Sequence, residues 1–517
     1  MMLRQAETWF AAVARRKALC ALGAAVLALG LRALLLPIWP IPAPMIHDEF
    51  AYLLQADTFA NGRLANPPHP LWQFFETIYV IQQPSYASKY PPGQGLILAA
   101  GQVLFGDPWW GVWISCGLLA IATSLALQAW LPPRWALLGI ILNVQLCFYS
   151  YWMNSYWGGA LTATGGALVL ASFRRLARPG FGPASRAMAA WMFGIGAVIL
   201  VLCRPFEGLL LLFPVLVAVA LRNREPRVWL PILLCGAVGA GWLGLYHYRV
   251  TGSPLHLPYS EYQRQYETVP QFNFLPVSPQ PAGYRHLHHE WVDRGWLLDQ
   301  YRIARSPRFL LIRFRDWLST LRVYLAGIIL VVPLLGLMGW LARCRKWRFL
   351  CVLFALIFAG TLLEVPQFPH YPAPFMAVIL ILTVQSLRLA WRRHGKPLVV
   401  VALVALFVQV AGNDARRIYR GRTPDRFRST VAKKRPMERH LAQTGPGRHV
   451  IFVRYTRFRA PHEEWIYNAA EIDRQPVIWA QDMGPEENRK LVARYPGRAF
   501  WRFEPDESSD MLMPLQR

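Results

Sequence analysis

Eleven apolar stretches, each near the length of a membrane-spanning helix and many of them bordered by clustered Arg and Lys, constrain this chain more than any other feature. A spanning helix needs about 20 mostly apolar residues. The candidates are 18–38, 110–130, 135–151, 157–173, 187–203, 208–221, 228–247, 323–342, 349–364, 373–390 and 397–412. Charged residues make up only 16% of the chain, where a soluble protein carries about a quarter. The formal net charge of +26 does not require a nucleic-acid partner. Its Lys and Arg sit largely at the ends of apolar segments, which is the footprint of the positive-inside rule.

Sidedness follows from those clusters. With the N-terminus inside, the cytoplasmic segments hold Arg15-Arg16-Lys17, Arg134, Arg174-Arg175-Arg178, Arg222-Arg224-Arg227, Arg343-Arg345-Lys346-Arg348 and Arg392-Arg393-Lys396. The first outer loop instead holds Asp48, Glu49, Asp57 and Glu76 against Arg63 and Lys89. Gly93–Phe105 is also apolar, but it is short and follows Pro91-Pro92, so an interfacial helix is expected there. Counting it as a span would put every later basic cluster outside. Ala18–Pro37 is too long for a signal-peptide core and reads as a retained first span. Arg416, Arg417, Arg420 and Arg422 follow the last span, but long tails are weakly governed by charge, and the tail is placed outside.

The outer face then carries loops 39–109 and 249–322 and a tail from Asn413 to Arg517. In the tail, Val450–Tyr455, Val477–Ala480 and Phe500–Phe503 read as strands, and Glu486–Tyr495 as a helix introduced by Gly484-Pro485. The expected fold class is an all-α multi-pass membrane domain over residues 1–412, with juxtamembrane helices, and a small soluble α/β domain over 413–517. The seven cysteines lie in or beside apolar segments without paired metal spacing, so neither a disulfide framework nor a zinc site is expected.

The sharpest chemical signal is Ile46-His47-Asp48-Glu49-Phe50, just beyond the first span. Two adjacent carboxylates at the mouth of a membrane cavity face costly desolvation. Alone they would also suit the acidic start of an amphipathic helix. The same loop continues with Phe59-Ala60-Asn61-Gly62-Arg63-Leu64 and then Ser88-Lys89-Tyr90-Pro91-Pro92-Gly93. This arrangement resembles the polyprenyl-phosphate-dependent GT-C glycosyltransferases, which include protein O-mannosyltransferases and lipid A aminoarabinose transferases. In that superfamily an Asp, often as Asp-Glu, follows the first span. Two juxtamembrane helices come next, the second opened by a Lys-(x)-Pro-Pro element. The resemblance implies that Asp48 occupies the catalytic position with Glu49 beside it, and that Lys89, next to Tyr90, meets the lipid phosphate. It covers residues 15–412 as architecture and is strongest in 45–105; the tail lies outside it.

The chemistry is coherent. Expulsion of a phosphate-terminated lipid is favoured by cations near the bilayer surface. The acceptor hydroxyl needs a general base, for which a partly desolvated carboxylate is suited. A single displacement of this kind inverts the sugar carbon.

Further candidates complete the site. Arg204 and Glu207 form an opposite-charge pair at i, i+3 between two spans; a helix-hairpin turn with a snorkelling Arg is the alternative, and the functional reading is preferred because an ionisable residue in a membrane is by default a site candidate. The loop Tyr151–Gly159 is aromatic, with Asn154 and Tyr156 as candidate sugar contacts, although an aromatic interface belt is the commoner meaning of such a loop. Relatives often carry an acidic residue where this loop has Asn154. His370 and Tyr371 resemble an Arg-Tyr element near the carrier phosphate, with a His that is a weaker counter-charge than Arg. Arg322, near the outer end of the eighth span, is a further cation for that task. His286-Leu287-His288-His289-Glu290 with Asp293 invites a metal reading, but a solvated loop is the more frequent meaning of such a run. No metal or other cofactor is required, and nothing supports a divalent cation. Tyr467-Asn468 through Ile472-Asp473 suggests a structural role.

The expected partners are a polyprenyl-phosphate-linked sugar donor, an acceptor that is protein, lipid or glycan, and the bilayer, with no nucleic acid. The expected setting is a bacterial inner membrane with the site and tail on the periplasmic face. A transporter is the main rival, yet the polar residues gather on one side rather than at the midplane. A lipid-linked oligosaccharide ligase or polymerase would share the spans but not the Asp-Glu after the first.

Overall fold

The computed structural model describes residues 2–178, 180, 182–279, 283–419, 430–444, 447–455, 465–505 and 512–515. Arg420 and Arg422, two of the basic residues bearing on the side of the tail, lie outside them. The membrane part is all helical. Among the described residues six helices are long and apolar enough to cross a membrane: Lys17–Leu34, Trp109–Trp130, Pro183–Cys203, Pro226–Thr251, Ala373–His394 and Lys396–Asn413. Pro133–Phe148 and Pro205–Ala220 are shorter apolar helices, and Gly159–Leu176 and Arg345–Thr361 are helical over further expected spans.

The eighth expected span, 323–342, is broken. Helix Phe309–Tyr324 ends at a left-handed Ala326 (φ 58°) followed by Gly327, and two short helices, Val331–Gly336 and Met338–Arg343, replace a continuous rod. Pro333 and Gly336 interrupt the apolar run, and both disfavour helix interiors. Apolarity over 20 residues did not fix helical continuity here. Among the described residues, not all of the eleven stretches that hydropathy suggests are continuous helices of spanning length.

Exposure separates centre from rim. Met376–His394 is buried along nearly its whole length, whereas Lys396–Asn413 presents Val400, Val401, Val404, Phe407 and Val408 outward. Apolar side chains turned outward from such a helix meet lipid, not water. Pro92–Phe105 packs between His47–Ala60 and Trp109–Trp130, with Val103, Leu104 and Phe105 exposed at its end. A Cβ at Gly111 would sit 2.0 Å from the Ile97 carbonyl oxygen, so only glycine admits this helix pair. Likewise a Cβ at Gly166 would lie 1.9 Å from the Pro374 carbonyl oxygen, and its absence lets the turn Ala373–Phe375 that opens Ala373–His394 press against Gly159–Leu176.

The tail forms a four-stranded sheet ordered Val477–Gln481, His449–Val453, Ala499–Phe503, Met513–Pro514. The first three strands are parallel and the last is antiparallel. Helix Pro485–Arg494 falls where Gly484-Pro485 announces it. Helix Thr430–Thr444 and the fourth strand were not foreseen; the helix contains Pro436, and the last strand is only two residues long. A further helix, Met2–Arg15, precedes the first span.

Candidate active site

Asp48 lies in the first turn of helix His47–Ala60 and faces a cavity of about 130 Å³ lined also by Ile46, His47, Tyr79, Trp157, Trp291, Val292, Trp296, Phe368 and His370. Asp48 is half-buried. The Tyr90 hydroxyl donates to its Oδ1 at 2.5 Å, and the Tyr90 ring stacks on Tyr52 at 4.5 Å. Trp291 and Trp296 reach the cavity because Trp291–Leu297 is a π-helix. Its widened turn brings residues five apart to one side.

Glu49 turns away from this cavity and is buried. It accepts the Met45 N–H at 2.8 Å and the Tyr156 N–H at 2.9 Å, tying the exit of the first span to the aromatic loop. Burial pushes its carboxyl up to about 7, against the two backbone donors that pull it down. A carboxyl whose folded value is raised makes its full contribution to stability below the unfolded value of about 4.3 and loses it as pH rises through about 7. Wild-type stability is therefore expected to fall between about pH 5 and about pH 7, by up to about 1.4 kcal/mol per pH unit, while Glu49→Gln flattens that dependence. Thermal unfolding across pH checks this; parallel curves would remove the assigned ionisation.

Tyr156 and Asn154 hold the loop together. The Tyr156 hydroxyl donates to the Pro42 carbonyl at 3.0 Å, and its own carbonyl accepts from Gln94. Asn154 accepts from Arg32 Nε at 3.1 Å and donates to the Ser150 carbonyl. Arg32 was invisible as a site residue in sequence. It is fully buried in the first span, donates also to the Trp39 and Pro40 carbonyls, and lies over the Trp109 ring.

Lys89 is enclosed by protein groups on several sides. Its side chain is 7% exposed and its Nζ is 3.1 Å from Glu267 Oε1. Four tyrosine rings surround it: Tyr79 at 3.7 Å, Tyr262 at 4.6 Å, Tyr259 at 5.2 Å and Tyr90 at 5.8 Å. The two-residue strands Val80–Ile81 and Ala87–Ser88 bring Tyr79 and Lys89 together. Tyr79 takes a left-handed φ of 66°, a costly conformation for a bulky residue. Burial lowers the Lys89 ammonium and raises the Glu267 carboxyl, each opposed by its partner's charge.

Arg204 pairs with Glu207 Oε1 at 3.1 Å and lies 4.1 Å over the Tyr371 ring. His370 is 6% exposed; its ring stacks on Phe368 and meets Trp157 at 4.7 Å. Burial, and then the Arg204 charge, hold its imidazole well below the usual range, hence neutral. Arg322 is exposed and lines a separate cavity of about 460 Å³ with Gln145, Tyr151, Gln409 and Asn413. The structure thus brings Asp48 and His370 to one cavity, sets Tyr90 against Asp48 and Lys89 behind Tyr79, and puts Arg322 elsewhere.

The histidines of 286–289 disperse. His286 pairs with Glu76 at 3.0 Å, His288 meets the His47 ring, and His289 meets Tyr266. Asp293 accepts from the Thr268 hydroxyl and N–H and from the Tyr284 hydroxyl. Among the described residues no group of three or more His, Cys, Asp or Glu could hold a metal ion.

The strip 467–473 docks the tail sheet on the segment 39–109 that follows the first span. Ala470 N–H donates to Asp57 at 2.8 Å, Arg63 pairs with Glu471 at 2.9 Å, and the Tyr86 hydroxyl donates to the Asn468 carbonyl at 3.0 Å. The Tyr467 ring lies 4.8 Å from Phe50, two residues after Asp48.

No protein-family profile and no curated protein sequence matches the chain. Among solved structures it is similar to ArnT from Cupriavidus metallidurans bound to undecaprenyl phosphate, at 15% identity and a TM-score of 0.49, over 96% of this chain and 93% of the other. It is also similar to the Archaeoglobus fulgidus oligosaccharyltransferase in complex with Zn and sulfate, at 12% identity and a TM-score of 0.49, over 94% and 68%.

Proposed function

We propose that this protein is a membrane glycosyltransferase that moves a sugar from a polyprenyl-phosphate carrier to an acceptor hydroxyl, with Asp48 as general base. The observation that carries the reading is Asp48 itself: a half-buried carboxylate a few residues beyond a membrane span, held through one oxygen by Tyr90 and opening on an aromatic-walled cavity. In the reaction the acceptor O–H gives its proton to Asp48. The oxygen bonds to the anomeric carbon, the carbon–oxygen bond to phosphate breaks, and the lipid phosphate leaves with the electron pair. One displacement inverts that carbon.

Tyr90 fixes the base by its hydrogen bond, and Glu49 fixes the helix turn that carries it. Arg204 is the cation we assign to the leaving phosphate, since it lies 4.1 Å over the ring of Tyr371, next to the cavity-lining His370. Lys89 supports Tyr79 and Tyr90 from behind. The test is sugar release from a labelled polyprenyl-phosphate sugar by the purified full-length protein in lipid; no release with any sugar would overturn the assignment.

We place the cavity and the tail sheet on the outer, periplasmic face of a bacterial inner membrane, supported by the basic clusters at the opposite ends of the helices. Reporter fusions after Gln83 and after Asn273 are expected to read as external, and one after Arg224 as internal. An internal signal after Asn273 would reverse the orientation of the later helices.

A further inference from the structure

The wall of the Asp48 cavity opposite the base carries two buried polar atoms that find no partner among the described residues: His370 Nδ1 and Trp157 Nε1. Both residues line the cavity, and their rings are 4.7 Å apart. Buried polar groups are nearly always satisfied, so two adjacent orphans in residues that line one cavity call for a partner atom.

We propose that His370 and Trp157 form a hydroxyl-reading slot, taking one ring hydroxyl of the sugar between the imidazole Nδ1 and the indole N–H. The inference rests on the reading of this cavity as a sugar site and names what selects the sugar there. An indole N–H only donates. The imidazole, 6% exposed and beside Arg204, is neutral; the slot takes the tautomer with its proton on Nε2, in which Nδ1 only accepts. A hydroxyl is the small group that accepts from one and donates to the other. A carboxylate or phosphate oxygen would satisfy the indole and repel the Nδ1 lone pair, and an ammonium would do the reverse. Phe368 stacks almost parallel on the imidazole (8° between planes) and holds its edge toward the slot. His370 therefore acts on the sugar and not as the counter-charge of the carrier phosphate.

The experiment measures binding of methyl pyranosides and their monodeoxy analogues to the full-length protein in nanodiscs, by saturation-transfer NMR, alongside sugar transfer. In wild type, removing one particular hydroxyl is expected to weaken binding by roughly 3- to 10-fold, the worth of a single neutral hydrogen bond. His370→Phe and Trp157→Phe are expected to abolish that selectivity, and His370→Gln, which keeps an acceptor, to retain part of it. Failure of wild type to bind any pyranoside, or an undiminished deoxy penalty in both Phe variants, overturns the slot. Transfer that persists with an undiminished penalty overturns the slot alone. Pyranoside selectivity without transfer from any carrier overturns the transferase reading and leaves the slot standing.

Discussion

Asp48→Asn is expected to lower sugar transfer by about 10²–10⁴-fold, the usual cost of losing a positioned general base, with carrier binding and folding retained. The substitution is close to isosteric, and the amide can still accept the Tyr90 hydrogen bond through its oxygen. What it removes is the capacity to take a proton from the acceptor. Glu49→Gln provides the contrast, because that carboxyl is committed to the Met45 and Tyr156 N–H groups. Its loss is expected to lower stability by about 1–3 kcal/mol, with any fall in turnover arising through displacement of the helix turn that holds Asp48. Parallel transfer, carrier-binding and thermal-unfolding measurements on the two variants separate the roles. Near-normal transfer by Asp48→Asn would dismiss the base and the mechanism built on it.

The parts of this site that sequence disclosed are those written in local order. Asp48 follows an apolar run, Tyr90-Pro91-Pro92 opens a helix, and Gly484-Pro485 starts another. Each depends on neighbours within a few residues, which periodicity and turn chemistry report. What escaped depends on pairings across the chain. Lys89 meets Glu267, 178 residues away, and nothing near either residue announces the other. Tyr79 carries no local sign of its left-handed backbone. The histidines of 286–289 look alike in sequence and end against three different partners, because His286 precedes the short helix Leu287–Glu290 and the turn of that helix points His288 and His289 to different neighbours. Tyr467–Asp473 discloses no partner in sequence for the same reason: Phe50, Asp57, Arg63 and Tyr86 lie in the segment 39–109, more than 350 residues away.

The Lys89–Glu267 pair gives the second large effect and decides whether that lysine touches the carrier. Breaking a buried ion pair by removing one partner costs about 3–5 kcal/mol, since the other charge stays behind without compensation. The two sides are unequal here. Lys89→Met strands a buried carboxylate whose remaining charged neighbours, Asp48 and Asp293, are acidic. Glu267→Gln leaves the ammonium among tyrosine faces that attract it, each worth up to about 2 kcal/mol when desolvated. Lys89→Met is therefore expected to be the more destabilising, Glu267→Gln the milder, and the double variant to recover part of the loss. Transfer should follow the same order, because Tyr79 and Tyr90 lose their common support and Tyr90 is what holds Asp48. Thermal unfolding and lipid-phosphate affinity, measured on all three variants, distinguish this support from direct contact. If Lys89→Met kept its stability within about 0.5 kcal/mol and lost about 1.5–3 kcal/mol of lipid-phosphate binding, the lysine would leave Glu267 to hold the carrier, and the caged arrangement would be a resting state.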